Sequence, residues 1–390
     1  MSTGAPHATA DLAVIGAGPA GTALAHRAAA AGLRVVLIDP DPLRPWSQTF
    51  GVFVDELPDW LSPECFASRS ETITAYTPQR QVLPRPYAAL DNTRLRAALS
   101  LSEVTIVTAS SVHADARRVT LSDGSTLTAD VVVDASGRRA SWNTAAPRQR
   151  AYGVIGHLDS DAETVLMDWR PPAPGTPTPP TFSYRVPLGD GRFLVEETFL
   201  AGSAPPVTEM ARRWAARGTP PGWTGDRDTA PVEVVDFPLA DDRRPPWIDD
   251  GQPLRFGAAG GLMHPATGYS LAASLRCADT VVEAIITGRD PRSALWPHRA
   301  RAVYRLRHRG LAVLADLDAS GTERFFTAFF SADAAAQRAY LGSRNDLAGV
   351  LRAMAATFAA ADWSTRRTIA TRAAARPDRQ RMEQIADRSR

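Results

Sequence analysis

The segment VIGAGPAGTALA (residues 14–25) places three glycines between a short apolar run and an alanine-rich stretch. Gly16 permits a tight turn, Gly18 lets the backbone approach a pyrophosphate, and Gly21 allows a helix to pack closely on a strand. A helix that begins directly after such a turn points its free N–H groups at a bound phosphate. The segment therefore predicts a strand, a glycine turn and a helix that together bind a dinucleotide.

The residues that follow complete a strand–helix–strand unit. The run LRVVLI (residues 33–38) is typical of a second buried strand, and Asp39 ends it where an acid can bind ribose hydroxyls. Pro19 and Ala20 lie inside the glycine motif, and we expect them to line the same cofactor site. The helix between the strands is predicted over residues 22–31.

Downstream features favour FAD over a nicotinamide cofactor. Many FAD proteins add an arginine on a helix, a strand followed by Asp-Ala-Ser-Gly, and a late strand–glycine turn–helix beneath the flavin. Here a helix is predicted over residues 92–100 with Asp91 or Asn92 as its cap, DASG occupies residues 134–137, and a glycine-rich turn covers residues 257–268. The cofactor-binding residues predicted from these features are Arg94, Asp134, Gly137, Gly257, Met263, His264 and Gly268.

Each of these features alone also has an ordinary explanation, as a surface arginine, a turn or a helix cap. His264 could contact the flavin or take up a proton, or it could be a loop histidine bonded to backbone. The late turn also departs from the flavin hydroxylases of this fold, which usually have Gly-Asp-Ala there. This chain has Gly257-Ala258-Ala259, without an acid, which disfavours an oxygen-activating role.

Composition excludes several classes of chemistry. All 44 basic residues are arginine, so lysine Schiff bases, pyridoxal phosphate chemistry and a Walker-A lysine are excluded. A net charge of +2 gives no indication of nucleic-acid binding. The two cysteines, Cys65 and Cys277, predict neither a disulfide framework nor a metal site, and a reducing cytoplasm fits best. No apolar run approaches the roughly 20 residues that span a bilayer, and no secretion signal is visible.

The remaining pattern predicts an α/β fold with a Rossmann-type FAD-binding domain, an interleaved antiparallel β-sheet substrate domain and C-terminal helices. Residues 72–88 suggest edge strands, strand-like runs dominate residues 151–240, and a helix is expected over residues 271–287. The predicted domains are 1–60, 84–148 and 250–292 for FAD, 61–83 and 149–249 for substrate, and 293–390 for a helical region that faces a membrane.

The run RFLVEETFL (residues 192–200) puts two acids in an alternating apolar strand. Successive side chains point to opposite faces, so Glu196 shares a face with Leu194 and Leu200, and Glu197 occupies the other. Because both faces carry mostly apolar side chains, burying an unpaired carboxylate on either face would cost considerable free energy. Both glutamates could instead pair with arginines such as Arg185 or Arg192.

Several segments together resemble the flavoprotein lycopene cyclases of plants and bacteria. The similarity spans roughly residues 11–345, and the ordered combination is more specific than the glycine motif alone. The matching segments are GPAGTALAHRAAAAGLRVVLIDPDP (18–42), FGVFVDEL (50–57), VLMDWR (165–170), PTFSYRVPL (180–188), FLVEET (193–198), GGLMHPATGYSLAASL (260–275), WPHRARAVYRLRHRGLAVL (296–314) and TERFFTAFF (322–330).

The resemblance implies a lycopene β-cyclase, an isomerase without net redox change. An acid protonates the terminal double bond of the linear end group, the neighbouring double bond closes a six-membered ring on the resulting cation, and loss of a ring proton gives an ionone ring. Members of the family use reduced FAD, with NADPH or NADH as the electron source. The β ring is expected, although the ε ring and the closure of one or both ends stay open.

The resemblance also makes the strand acids candidates for the proton donor. An alkene is a weak base, so the acid must be a protonated carboxyl whose pKa is raised in a dry pocket. Glu196 is preferred to Glu197, and Asp168 could orient it or pair with Arg170. Asp55 and Glu56 are weaker candidates. Aromatic residues that could stabilise a cation, or simply belong to the core, are Trp46, Phe50, Phe53, Trp142, Trp169, Tyr184 and Phe199.

Lycopene dissolves in membranes, so a cytoplasmic enzyme that binds peripherally is expected. Arginine-rich helices at residues 299–309 and 366–390 could contact anionic headgroups, or could be solvated faces. Two other functions stay open, namely an FAD-dependent hydroxylase or prenyl-chain reductase of the same fold, and an inactive flavin-containing carotenoid-binding protein.

Overall fold

The computed structural model describes residues 10–137, 146–158, 162–173, 175, 179–224, 229–240 and 244–374. Seventeen strands occur in this part of the chain. They are β1 Ala10–Ile15, β2 Val35–Asp39, β3 Gly51–Phe53, β4 Phe66–Ser70, β5 Ile73–Tyr76, β6 Arg80–Leu83, β7 Tyr87–Leu90, β8 Val104–Thr108, β9 Ser111–Ala114, β10 Arg118–Leu121, β11 Thr126–Asp134, β12 Arg148–His157, β13 Val165–Asp168, β14 Phe182–Gly189, β15 Arg192–Phe199, β16 Val232–Pro238 and β17 Leu254–Arg255.

The same residues contain ten α-helices, and the segment from 291 to 374 is almost entirely helical, as predicted. They are α1 Pro19–Ala30, α2 Asn92–Ala98, α3 Val207–Arg217, α4 Leu271–Ile286, α5 Pro291–Leu295, α6 His298–Leu314, α7 Ala319–Phe330, α8 Ala334–Leu341, α9 Leu347–Ala360 and α10 Trp363–Ala374. No helix in this part of the chain combines the length and apolar character that crossing a bilayer requires.

The first sheet has the order β8-β2-β1-β11-β10-β9, with β17 paired to the other end of β11. Strands β8, β2, β1, β11 and β17 pair in parallel, whereas β9 and β10 add an antiparallel extension. Leu12 and Val14 of β1 are fully buried and belong to one cluster with residues of α1 and α4. Parallel strands buried beneath helices explain why this part of the sequence has continuous apolar runs.

The second sheet has the order β16-β12-β15-β14-β13-β5-β6 and is antiparallel except between β5 and β13. A third, small sheet has the order β3-β7-β4. Both the predicted Rossmann-type sheet and the antiparallel sheet are therefore present. The predicted domain boundaries stay a prediction.

Three details differ from the sequence expectations. The first helix begins at Pro19 rather than residue 22, since proline is well suited to the first helical position. Strand β7 is the centre of the small sheet and β5 lies inside the second, so of these strands only β6 ends a sheet among the described residues. Helix α2 ends at Ala98, two residues early, and Asp91 is its cap, accepting hydrogen bonds from the amides of Thr93 and Arg94.

The glycines of residues 16–21 offer a matched test of the fold. A Cβ on Gly21 would overlap the carbonyl oxygen of Gly16, whereas a Cβ on Gly18 would meet no atom within 4 Å. We expect Gly21→Ala to lower the free energy of unfolding by about 1–3 kcal/mol through overpacking, and Gly18→Ala to change it little. Urea denaturation of both variants checks this, and equal losses would contradict the close packing of α1 on β1.

Candidate active site

Three turns meet at the start of α1. Gly16 has a left-handed φ of 103°, and a Cβ there would lie 2.7 Å from the carbonyl oxygen of Ala135. A Cβ on Gly257 would lie 2.9 Å from the Cβ of Ala20. The predicted glycine motif, the turn after β11 and the turn after β17 are therefore packed against one another.

Acidic side chains fix the backbone of two of these turns. The two oxygens of Asp39 accept hydrogen bonds from the amides of Ala17 and Asp41, each at 2.8 Å. Asp134 Oδ1 accepts hydrogen bonds from the amide and hydroxyl of Ser136. Gly137 follows with a left-handed φ of 80°. Asp39 thus holds the glycine turn, whatever else it binds.

The start of α1 is well suited to an anion. Gly18 is its N-cap and offers no side-chain acceptor, and the first turn contains no acidic residue. The first amides of a helix have no intrahelical partner and carry partial positive charge. This combination fits the pyrophosphate of a dinucleotide, and the open space above Gly18 lets a ligand approach the backbone.

Two predicted cofactor residues are engaged with the protein itself. His264 is buried, its Nδ1 accepts the amide of Ala266, and its Nε2 therefore carries the proton and donates to the carbonyl of Tyr340. Burial holds the pKa of His264 well below its usual value, with help from Arg307, so the ring is neutral. Arg94 is half-exposed and donates to the carbonyls of Glu64 and Phe66. A cofactor role for either residue stays a prediction.

A cavity of about 520 Å³ extends from these turns to the second sheet. Pro19, Met263 and Gly268 line it on the cofactor side. Its other walls are the strands β13–β16, the segment after residue 47, and helix α7. The apolar and aromatic residues of these walls include Phe50, Phe53, Leu166, Phe182, Leu194, Phe325, Phe326, Phe329 and Phe330.

Glu196 lies on the wall of this cavity. Leu194, Thr198 and Leu200 line it as well, so the alternation predicted for β15 is confirmed for this face. Thr198 donates a hydrogen bond of 2.6 Å to Glu196 Oε1, and within the described residues no arginine pairs with the carboxyl. Burial raises the pKa of Glu196 to about 8; the Thr198 bond opposes this, and Glu233 and Glu197 add to it. The group is therefore a neutral acid at pH 7.

Glu197 occupies the opposite face of β15 and is fully buried. Arg217 of α3 donates to it at 2.6 and 3.0 Å, and Thr181 adds a third hydrogen bond. The partner is thus Arg217, rather than Arg185 or Arg192, because α3 packs on the reverse of the sheet. The ion pair ties β15 to α3, and the cavity lies on the other side.

Asp168 is also on the far side of the cavity wall. Arg170 and Arg185 donate to it at 2.6 and 3.0 Å. Burial alone would raise the pKa of Asp168, but these arginines, Arg170 above all, hold it below its ordinary value. Of the two options that the sequence left open for Asp168, these contacts match the pairing with Arg170. Asp168 does not contact Glu196.

Other predicted residues are divided between the cavity and the core. Glu56 lines the cavity and pairs with Arg85 at 2.6 Å, and Asp55 pairs with Arg85 and Arg338. Phe50, Phe53 and Tyr184 line the cavity, whereas Trp46, Trp169 and Phe199 do not, although Trp169 stacks on Phe326. Trp142 lies outside the described residues.

Sequence reasoning missed a polar cluster around Glu196. The hydroxyl of Tyr87 bonds to those of Tyr184 and Tyr269 at 3.0 and 2.9 Å. Burial raises the pKa of all three phenols well above 10, and Glu196 adds to each shift, so they are neutral. Glu233 of β16 also lines the cavity. The sequence shows Glu233 as an acid within an apolar run. The hydrogen bonds of the tyrosine cluster, however, join residues that are far apart in the chain.

Comparison with known proteins supports one family. The chain matches the family described as "Lycopene cyclase protein" over residues 11–367. An uncharacterized carotenoid cyclase of Deinococcus radiodurans is 35% identical, over 95% of this chain and 95% of its own length. A chloroplastic lycopene beta cyclase of an Oncidium hybrid cultivar is 32% identical, over 86% of this chain and 78% of its own length.

Solved structures give the fold. A geranylgeranyl bacteriochlorophyll reductase-like protein from Thermoplasma acidophilum has a TM-score of 0.62 at 15% identity, over 89% of this chain and 96% of that one. A flavin-dependent brominase has a TM-score of 0.55 at 14% identity, over 98% of this chain and 100% of that one. The predicted α/β fold of the FAD-binding Rossmann type is confirmed.

The buried ion pair between Glu197 and Arg217 predicts a larger loss of stability on mutation than an exposed ion pair does. Arg217→Ala leaves the Glu197 carboxylate buried without its cation, and we expect a loss of about 3–5 kcal/mol in the free energy of unfolding. Arg69→Ala removes an exposed pair with Glu71, and we expect a loss of about 0–1 kcal/mol. Chemical denaturation measures both, and a small loss for Arg217→Ala would show that the pair does not anchor β15.

Proposed function

This chain belongs to the lycopene cyclase family, and we propose that it closes the linear end groups of lycopene or a related carotene into ionone rings, β rings in the first instance. The observation that carries the proposal is the Glu196 carboxyl. It is buried on the wall of an apolar cavity, and its pKa of about 8 makes it an acid that still holds its proton at neutral pH.

We infer that FAD occupies the turns at the start of α1. Gly18 and the uncapped amides of α1 would hold the pyrophosphate, and Asp39 would reach the ribose. Bound in reduced form, FAD supplies electron-rich support for a cation or a base for the leaving proton. The proposal also includes NADPH or NADH as the electron source. It further includes the other predicted cofactor-binding residues, namely Arg94, Asp134, Gly137, Gly257, Met263, His264 and Gly268.

Glu196 donates its proton to the terminal double bond of the end group. The positive charge then lies on the tertiary carbon, and the neighbouring double bond attacks it to form the six-membered ring. Loss of one ring proton restores a neutral product, so protons balance and no electrons are transferred. Because the group must be protonated, cyclisation is fast below pH 8 and falls as the pH rises through about 8.

Aromatic walls support the cation without trapping it. The phenylalanines of α7 line the cavity opposite the sheet, and each ring that faces the cation contributes about 0.5–2 kcal/mol. The tyrosine cluster stays neutral and offers no phenolate to capture the charge. Glu197 and Asp168 hold the strands behind Glu196 through their arginines.

Carotenes reside in membranes, so we propose that the protein works in the cytoplasm and docks peripherally on a lipid surface. On α6, Arg299, Arg305 and Arg309 are exposed and could meet anionic headgroups. Arg307 is buried and donates to the carbonyls of Tyr340 and Ser343, so it serves the fold. Of the arginine-rich segment 366–390, residues 375–390 lie outside the described part.

The test is expression in a lycopene-accumulating host, with pigments separated by chromatography. The wild type should produce ionone-ringed carotenes, whereas Glu196→Gln should lose roughly 10²–10⁴-fold in activity while it retains FAD. Glu197→Gln should cyclise faster than Glu196→Gln wherever it folds. If Glu196→Gln cyclised lycopene as well as the wild type does, Glu196 would not be the proton donor.

A second measurement separates cyclisation from redox chemistry of the same fold. The cyclase should consume NAD(P)H only to reduce its flavin, so product should accumulate in large excess over nicotinamide oxidised. One nicotinamide oxidised per product would favour a hydroxylase or a reductase. Unchanged lycopene with a soluble, flavin-loaded protein would favour a carotenoid-binding protein.

A further inference from the structure

One row of residues crosses the second sheet at the level of Glu196. Gly153 of β12 lies directly opposite Glu196 on one side and directly opposite Glu233 on the other. Tyr184 of β14 lies opposite Glu196 on its remaining side. Residues that face each other on neighbouring strands point to the same side of a sheet, so both carboxyls and the phenol project into the cavity.

The centre of this row has no side chain. A Cβ on Gly153 would lie 3.4 Å from Cβ and Cγ of Glu196, and 2.8 Å from Cδ1 of Leu194. Glycine weakens a strand interior and often marks a place where other groups approach closely. Here it places no side chain of its own between the two acids, and Leu194 and Glu196 pack over its backbone.

Glu233 is held in place by Thr49. Its two oxygens accept hydrogen bonds from the amide and the hydroxyl of Thr49, at 2.8 and 2.7 Å. A carboxylate accepts hydrogen bonds at both oxygens without giving one up. The residue is buried, and within the described part of the chain no arginine pairs with it.

We propose that Glu233 is a positioning residue for the cyclisation: across the Gly153 backbone, its negative charge keeps Glu196 in the protonated, proton-donating form. The inference rests on the proposed function only for what the coupling is used for. The electrostatic coupling between Glu196 and Glu233 itself exists without substrate. A like charge nearby disfavours ionisation of a carboxyl. Glu233 is one of the groups that raise the pKa of Glu196, after burial.

Other ionisable groups around Glu196 do not supply the same charge. The phenols of Tyr184, Tyr87, Tyr269 and Tyr340 are neutral because burial raises the pKa of each. The acids are compensated: Glu56 by Arg85, Asp236 by Arg148 and Arg150, and Glu197, behind the strand, by Arg217. Among the described acids near Glu196, Glu233 is the one held by neutral donors.

The experiment follows the carboxyl of Glu196 directly. The infrared C=O band that disappears in Glu196→Gln is titrated in the FAD-loaded full chain, in the wild type and in Glu233→Gln. Glutamine can still accept the Thr49 amide and donate to its hydroxyl, so the fold is kept while the charge is removed. We expect a midpoint near pH 8 in the wild type and about one unit lower in Glu233→Gln.

Three further variants make the result specific. Glu233→Asp retains the charge and should keep the midpoint close to that of the wild type. Glu233→Met removes both charge and hydrogen bonds and should match Glu233→Gln, and it replaces that variant if glutamine misfolds. Glu71→Gln removes an exposed charge and should leave the midpoint unchanged. An unshifted midpoint in both uncharged variants overturns the proposal.

Activity gives an independent check. In the pH profile of cyclisation, the fall of kcat/KM at high pH should move about one unit lower in Glu233→Gln, with the rate at low pH largely kept. A uniform loss at every pH would indicate a structural role and contradict the proposal. If the wild type does not cyclise lycopene, the proposed function fails, but the infrared titration still decides on Glu233.

Discussion

A carboxyl group that is buried in an apolar cavity, with neither a cation nor hydrogen-bond donors at both of its oxygens, keeps its proton, and the site depends on this constraint. Water would lower the pKa of Glu196 by solvating its anion, and an arginine would lower it by pairing. Apolar and aromatic side chains form most of the cavity wall, and within the described residues no arginine pairs with the carboxyl. The carboxyl then holds its proton at neutral pH, which is the state that the proposed transfer to an alkene requires.

The two faces of β15 place its two glutamates in different surroundings. The face towards α3 holds Glu197, whose ion pair with Arg217 satisfies a buried charge and fixes the strand. The face towards the cavity holds Glu196, which is free of such a pair among the described residues. Because strand side chains alternate, adjacent acids in the sequence fall into opposite electrostatic environments. For this reason we propose a chemical role for Glu196 and a structural one for Glu197.

Local patterns explain how far the sequence alone could lead. The glycine spacing predicted the turn at Gly16, and alternation predicted which side chains accompany Glu196. Contacts between distant segments could not be derived in this way. Arg217 reaches Glu197 only because α3 folds over the sheet. Glu233 accepts a hydrogen bond from Thr49, which lies 184 residues away in the sequence. The aromatic run of α7 is visible in the sequence, but its place in the wall of the cavity depends on tertiary packing.

Cyclisation in deuterated water tests the central claim most directly, namely that an exchangeable acid, and not a hydride donor, protonates the carotene. The exchangeable proton of Glu196 is then a deuteron, and each ring closed should carry one deuterium, on the ring carbon next to the one that bears two methyl groups. Mass spectrometry and NMR of the product locate it. Rings formed without deuterium, or with hydrogen derived from labelled NADPH, would contradict the account.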